Sequence, residues 1–359
     1  MRFRGSGIAI GQTAQRVLGV INALDQVIAG RPPLRRREMR GPQGELIGHL
    51  DWPHTLYFLE RRRLLECLLR VAADAGVVLQ TGSEVVRAEP GGQVELGDGT
   101  VLSADLVIVA DGAGSRLRRS VAADAQKTDL PYGAARALAP KLASDVDIPD
   151  NAWAEYWSGK RRLFFAPLSA NSVYLAFNCS RHDLGPRAGD RDLVEIDLPS
   201  WKRSFPSLAH VIDRITEPPM WAPFVEVAAR PWSNGRIVMI GDAAHAMTPA
   251  LGAGGTTAMM DAVSLALALE HGADLTDTLG QWESYYRSPI QRLQRDSRFW
   301  GDVGYWPNVI QKALIWLTPH SRWLTRKRFE STDFVPSNIV ASSDPPGASP
   351  MSHPVPSRS

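Results

Sequence analysis

Cysteine is nearly absent from this chain: two residues, Cys67 and Cys179, in 359. Two thiols in apolar surroundings build neither a disulfide framework nor a metal-ligand set, so both read as buried free thiols. Net charge is also small, +2 from 40 basic and 38 acidic residues. Bulk charge therefore calls for no nucleic-acid partner. The three short basic clusters, Arg35–Arg37, Arg61–Arg63 and Arg326–Arg328, read as solvated faces. No run of about 18 apolar residues suggests a membrane span, and the first residues lack the apolar core of a signal peptide. A cytoplasmic protein is expected.

What the chain does have is an ordinary globular composition, 44% hydrophobic and 22% charged, over a length that suits about two domains. Apolar spacing predicts a helix over 12–29 and another from Arg61 to Ala75, with a Pro- and Arg-rich loop at 31–37 between them. Short strands are expected at 77–80, 84–88, 93–96 and 100–103. Leu106 to Ala110 is a continuous apolar run, as in a strand covered on both faces. The aromatic stretch WAEYWSGKRRLFFAPLSANSVYLAFNCS predicts three antiparallel strands. Helices are expected at 256–270, 275–299 and 308–317. A Pro- and Ser-rich tail, 336–359, is expected to be disordered.

Two strand ends carry the chemistry. In GRIVMIGDAAHAMTPALGAGG, the apolar run Ile237–Ile240 stops at Gly241 and Asp242 and gives way to residues with almost no side chain. A carboxylate there sits where open α/β sheets bind ligands. A following helix would aim its amide-rich end at the same place. Read on the residues alone, a helix-capping Asp explains this equally well. ADLVIVADGAGSRLRR repeats the design about 130 residues earlier, ending a strand in Asp111 and Gly112.

Together the two stretches resemble the internal motifs of the FAD-dependent aromatic-ring monooxygenases, the para-hydroxybenzoate hydroxylase-like family. The first matches at Ala104, Asp105, Ala110, Asp111, Gly112, Ser115 and Arg118. The second matches at Gly241–His245, Pro249, Gly252, Gly254, Asp261 and Ala262. Arg61 with Leu64 matches an Arg-x-x-Leu helix start, with Arg62 as a register alternative, and Ser284–Leu293 is similar to a late family helix. The resemblance implies an α/β fold: a Rossmann-like FAD/NAD(P)-binding domain interleaved with an antiparallel-sheet substrate domain and C-terminal helices. The expected division is 1–120 and 231–272 for the FAD domain, 121–230 for the sheet and 273–330 for the helices.

The resemblance also implies FAD as cofactor, NAD(P)H and O2 as co-substrates, and hydroxylation of a small aromatic, phenol-like substrate. It would place FAD against Arg61, Asp111, Gly112, Gly241, Asp242, Pro249, Gly252, Gly254 and Gly255. Phe165 and Tyr174 are candidate substrate contacts, chosen as aromatic sheet residues. His245 is expected to be structural, and no catalytic base is assigned. The sequence holds no strand followed by Gly-x-Gly-x-x-Gly. Only four residues precede Gly5-Ser6-Gly7, so the family's first βαβ unit, roughly 30 residues, is expected to be missing. The alternative expectation is a truncated, non-catalytic relative with weak or no FAD binding. A homodimer fits either reading. A membrane partner is not expected, although the basic, Trp-containing segment 308–330 would also suit an anionic surface.

Overall fold

The structure is a computed structural model that describes residues 6–142, 145, 151–185, 193–307 and isolated positions from 309 to 339. Of the expected 308–317 helix, residues 309–311, 313, 314 and 317 are described and helical; apart from Ile339, the expected disordered tail lies outside the described residues. The chain opens with β1 (Gly7–Ile10), α1 (Gln12–Val20), α2 (Leu24–Ile28), β2 (Leu34–Arg40), β3 (Leu46–Glu60) and α3 (Arg61–Asp74). It continues through β4 (Val85–Glu89), β5 (Gln93–Leu96), β6 (Val101–Ser103), β7 (Val107–Val109), α4 (Arg118–Val121) and β8 (Gln126–Pro140). Next come β9 (Ala152–Ser158), β10 (Arg161–Pro167), β11 (Ser172–Ser180), β12 (Val194–Glu195), α5 (Leu198–Ser204), α6 (Ala209–Ile212) and β13 (Met220–Ala228). The last described elements are β14 (Ser233–Asn234), β15 (Ile237–Met239), α7 (Asp242–His245), α8 (Gly254–His271) and α9 (Leu275–Val303).

Nine strands form one large sheet in the order β1-β3-β2-β9-β10-β11-β8-β13-β12. All its pairings are antiparallel except β2 with β9. One face packs on α5 and α6 through Phe165, Phe177, Trp201 and Phe205, all buried. The other face carries Trp153, Phe164, Tyr174 and Ala176, which cluster with Leu56 and Phe58 of β3 and Ala9 of β1. A second, small sheet pairs β7 with β15 in parallel, Val107 beside Ile237 and Val109 beside Met239, with β14 at its edge. Helices α8 and α9 close over this pair through Met260, Leu265, Trp282 and Tyr286.

Four local expectations are corrected. The helix over 12–29 is two helices, because the chain turns at Asn22, whose φ of 53° is left-handed and suits Asn. The supposed loop at 31–37 becomes β2 from Leu34 onward. Its arginines are accommodated by carboxylates: Arg36 pairs with Asp51 on β3 and Arg37 with Glu155 on β9. Residues 77–80 form no strand, and Val78 is 88% exposed. Burial on both faces holds for β15, whose three residues are fully covered, but not for β7, where Ile108 is 49% exposed. Gly7 begins β1, and Gly11 lies between β1 and α1.

Candidate active site

Parallel pairing of β7 with β15 brings the Asp111-Gly112 and Gly241-Asp242 strand ends side by side. Arg118 fixes them there. Its buried guanidinium donates from Nε to the Ala243 carbonyl at 2.7 Å, and from Nη2 to the carbonyls of Ala113 at 2.7 Å and Gly112 at 3.2 Å. Ser115 Oγ accepts from the Arg118 backbone N–H at 3.1 Å and starts the short α4. Burial pulls the Arg118 pKa down, and Asp111 opposes the shift. The Ser and Arg of the first motif thus have a structural account: they shape the strand ends.

Asp261 of α8 does the same for the second motif. Its Oδ2 accepts from the Gly241 backbone N–H at 2.8 Å and bonds His245 Nε2 at 2.7 Å. Burial alone would lower the His245 pKa, but the Asp261 charge and hydrogen bond outweigh it, and the net shift is upward. Trp232 covers the imidazole at 5.1 Å between ring centroids. His245 is buried in the fold, away from the cavity described next.

A cavity of about 1840 Å3 runs between the large sheet, β1, α3, the 247–256 loop and the end of α9. Asp242 lines it with an exposed side chain, as do Pro249, Gly252, Gly254 and Gly255. Helix α8 begins at Gly254 with no side-chain cap, which leaves its first backbone amides for an outside acceptor. Close approach bears on the small residues at 241 and 255, whereas 254 has ordinary room. A Cβ on Gly255 would lie 2.7 Å from Ile8 Cδ1, and one on Gly254 would lie 3.9 Å from Asp242 Oδ1. Gly241 holds a φ of +59°, and a Cβ there would meet Ala258 Cβ at 2.9 Å.

Arg61 opens α3, and its exposed side chain lines the cavity. Arg62 is engaged by Glu66 at 2.7 Å, and Arg63 by the carbonyls of Val27 and Gln26. Arg62 lines the cavity too, but of these three only Arg61 has a guanidinium with no partner among the described residues, which favours it over the Arg62 register. Asp111, Gly112 and Gly241 stand outside the cavity lining, next to the strand ends.

Of the two aromatic candidates, Tyr174 lines the cavity, with its ring against Gly7. Phe165 does not, and that expectation is corrected. It is fully buried on the opposite face of the sheet, with Trp201 and Phe205. Phe165 is paired with Leu175, while Phe164 is paired with Ala176 and faces the cavity. Side chains alternate faces along a strand, so Phe165 and Tyr174 cannot share one; the hairpin register carried that signal. Sequence reasoning also missed Trp52, Trp153, Arg37 and Glu155, all in the cavity wall.

Comparison with known proteins decides the family. The family described as "FAD binding domain" matches residues 43–277. The chain is 36% identical over 334 residues to a 2-heptyl-3-hydroxy-4(1H)-quinolone synthase of Mycobacteroides abscessus, covering 90% of this chain and 86% of the relative. The chain belongs to the FAD-dependent aromatic-ring monooxygenases. This monooxygenase is also 26% identical over 318 residues to a 6-hydroxynicotinate 3-monooxygenase of Pseudomonas fluorescens, covering 82% and 81% of the two chains. Among solved structures it is similar to a tetrameric form of 2-methyl-3-hydroxypyridine-5-carboxylic acid oxygenase. That match has a TM-score of 0.79 and 26% identity, over 95% of this chain and 88% of the other. The monooxygenase uses FAD, and the reading as a non-catalytic relative is not favoured. No helix among its described residues is long and apolar enough to cross a membrane.

Proposed function

We propose that this monooxygenase hydroxylates a heteroaromatic ring bearing an apolar side chain, at the expense of NAD(P)H and O2. The observation that carries the reading is the cavity in which Asp242 and the open start of α8 meet an aromatic sheet face. FAD, when bound, supplies the redox chemistry: it takes a hydride from NAD(P)H and activates O2, one atom of which enters the ring while the other leaves as water.

The residues present fit that group. Asp242 accepts a hydrogen bond from a ribityl hydroxyl, which a carboxylate does strongly. The amides from Gly254 onward offer partial positive charge to the electron-rich edge of the reduced ring. Pro249, Gly252 and Gly255 let the flat ring approach the backbone, and Asp111, Gly112 and Gly241 shape the neighbouring strand end. Arg61, on the cavity wall, would hold the pyrophosphate. No amide-lined Gly-x-Gly-x-x-Gly turn for the dinucleotide half lies among the described residues. In this reading, α3 and segment 231–272 carry the flavin, the large sheet, in which β2 and β3 join the strands of 121–230, roofs the substrate, and the enzyme works in the cytoplasm, where NAD(P)H is supplied.

The substrate side is apolar and aromatic. Trp52 meets Trp153 edge-on at 5.1 Å, Phe58 meets Phe164 at 5.4 Å, and Phe164 meets Tyr174 at 5.9 Å. Such a wall suits a fused ring with a hydrocarbon chain, in keeping with the product named for the Mycobacteroides abscessus relative. The test is to load the protein with FAD, follow NAD(P)H oxidation with 2-heptyl-4(1H)-quinolone, and examine the product by mass spectrometry. A product heavier by one oxygen atom is expected. A flavin-loaded protein that neither accelerates NAD(P)H oxidation nor yields that product refutes the proposal.

A further inference from the structure

Arg37 and Glu155 form an ion pair in the cavity wall, at 2.7 Å between Nη2 and Oε1, with side chains only 8% and 16% exposed. Parallel pairing of β2 with β9 sets Arg37 beside Trp153 and Met39 beside Glu155, so the pair is embedded in the aromatic face. Taking two charges out of water is costly, and hydrophobic residues of similar volume would stabilise the fold as well or better. The pair is also incomplete. Arg37 Nε is buried and has no hydrogen-bond acceptor among the described residues. A buried N–H without an acceptor is a standing penalty that a bound acceptor removes.

We infer that Arg37 is a substrate-binding residue whose guanidinium, bordering the cavity, donates to a carbonyl oxygen on the substrate ring. This deepens the proposed function and rests on its placement of an aromatic substrate in this cavity. Glu155 cancels the guanidinium charge, so the position selects a neutral carbonyl rather than a carboxylate. A ring oxygen held at Arg37 lies against Trp153, and a hydrocarbon chain on the same ring lies along Trp52 and Phe58. Arg162 also lines the cavity and has an unpaired Nε, but its guanidinium is stacked on Trp157 at 5.1 Å and Tyr305 at 5.5 Å. It serves as part of the wall.

The experiment is a tryptophan-fluorescence titration of the FAD-loaded protein, since Trp52 and Trp153 flank the pair. The two probes are 2-heptyl-4(1H)-quinolone and 2-heptylnaphthalene, which keeps the two rings and the chain but has no ring oxygen or N–H. Wild-type protein is expected to bind the quinolone about ten- to a hundredfold tighter, the worth of one hydrogen bond to a charged group. Arg37→Met should bring the quinolone to within about twofold of the naphthalene and leave naphthalene binding unchanged. Removing one partner of a buried pair can unfold a protein, so the double variant Arg37→Met/Glu155→Leu is measured beside it, with the same expectation. Equal wild-type affinity for the two probes overturns the assignment without any variant, as does undiminished quinolone preference in either variant. A wild-type protein that binds neither probe overturns the substrate reading itself, and the assignment with it.

Discussion

His245 Nε2 lies 2.7 Å from Asp261 Oδ2 in a fully buried pair that ties the end of β15 to helix α8. The same carboxylate oxygen receives the Gly241 N–H. The turn that presents Asp242 is therefore held by a salt bridge beneath it. Asp261→Asn keeps the size but removes the charge, and it is expected to cost about 3–5 kcal/mol, as for other broken buried pairs. Chemical denaturation of both proteins at pH 6 measures this. An Asp261→Asn variant as stable as wild type would refute the account.

The upward shift of His245 gives that pair a pH signature. A group whose pKa is higher folded than unfolded contributes stability in full below its unfolded value, about 6.5. The contribution is lost as pH rises through the folded value. Stability should therefore decline from about pH 6.5 upward, and His245→Asn should flatten that part of the curve. Denaturation midpoints from pH 5.5 to 9.5 decide it; a slope unchanged in the variant places its origin elsewhere.

Asp242 carries no structural hydrogen bond among the described residues, so its removal should leave the fold intact. Asp242→Ala is expected to weaken FAD about ten- to a hundredfold through loss of one charge-assisted hydrogen bond. Equilibrium binding followed by flavin fluorescence, with a melting curve as control, separates the two effects. Unchanged affinity sinks the assignment.

Arg61 and Arg62 are neighbours with different occupations. Arg61→Ala should weaken FAD binding and flatten its dependence on salt, since the lost contact is a partly screened charge attraction. Arg62→Ala should do neither, because its guanidinium is already committed to Glu66. FAD titrations at two salt concentrations would reverse the choice if Arg62 proved the sensitive one.

Phe164 and Phe165 test the sheet's parity. Phe165→Ala empties a filled site beside Trp201 and is expected to cost about 3–5 kcal/mol of stability. Phe164→Ala opens the cavity wall; it should change substrate affinity at a smaller loss of stability. Paired melting curves and substrate titrations check this, and the reverse pattern would contradict the register.

Both strand ends were legible because the cue is local: an apolar run stopped by Asp and Gly is visible within ten residues. The His245–Asp261 pair was legible only as part of a motif, since its chemistry needs α8 folded back over β15. Strand β2 was hidden by its arginines. Their carboxylates, Asp51 and Glu155, stand on two other strands, one of them more than 100 residues away. Arg37 therefore looked like a solvated charge instead of a buried one. Phe165 was chosen for its ring, whereas the face a ring occupies is set by hairpin register. The helix over 12–29 kept its apolar period across a turn that Asn22 makes.

Arg118 bonds three backbone carbonyls and no side chain through its guanidinium. Carbonyl oxygens are common to every residue type, so positions 113 and 243 enter the junction through backbone rather than side-chain chemistry, whereas position 112, at a φ of +84°, favours glycine for its own backbone. Position 118 enters it through its side chain. A lysine ammonium is a single point charge, and it cannot reach from one loop to the other with a planar fork. Mutational tolerance at this junction should therefore be sharply lopsided, with Arg118→Lys nearly as damaging as Arg118→Met.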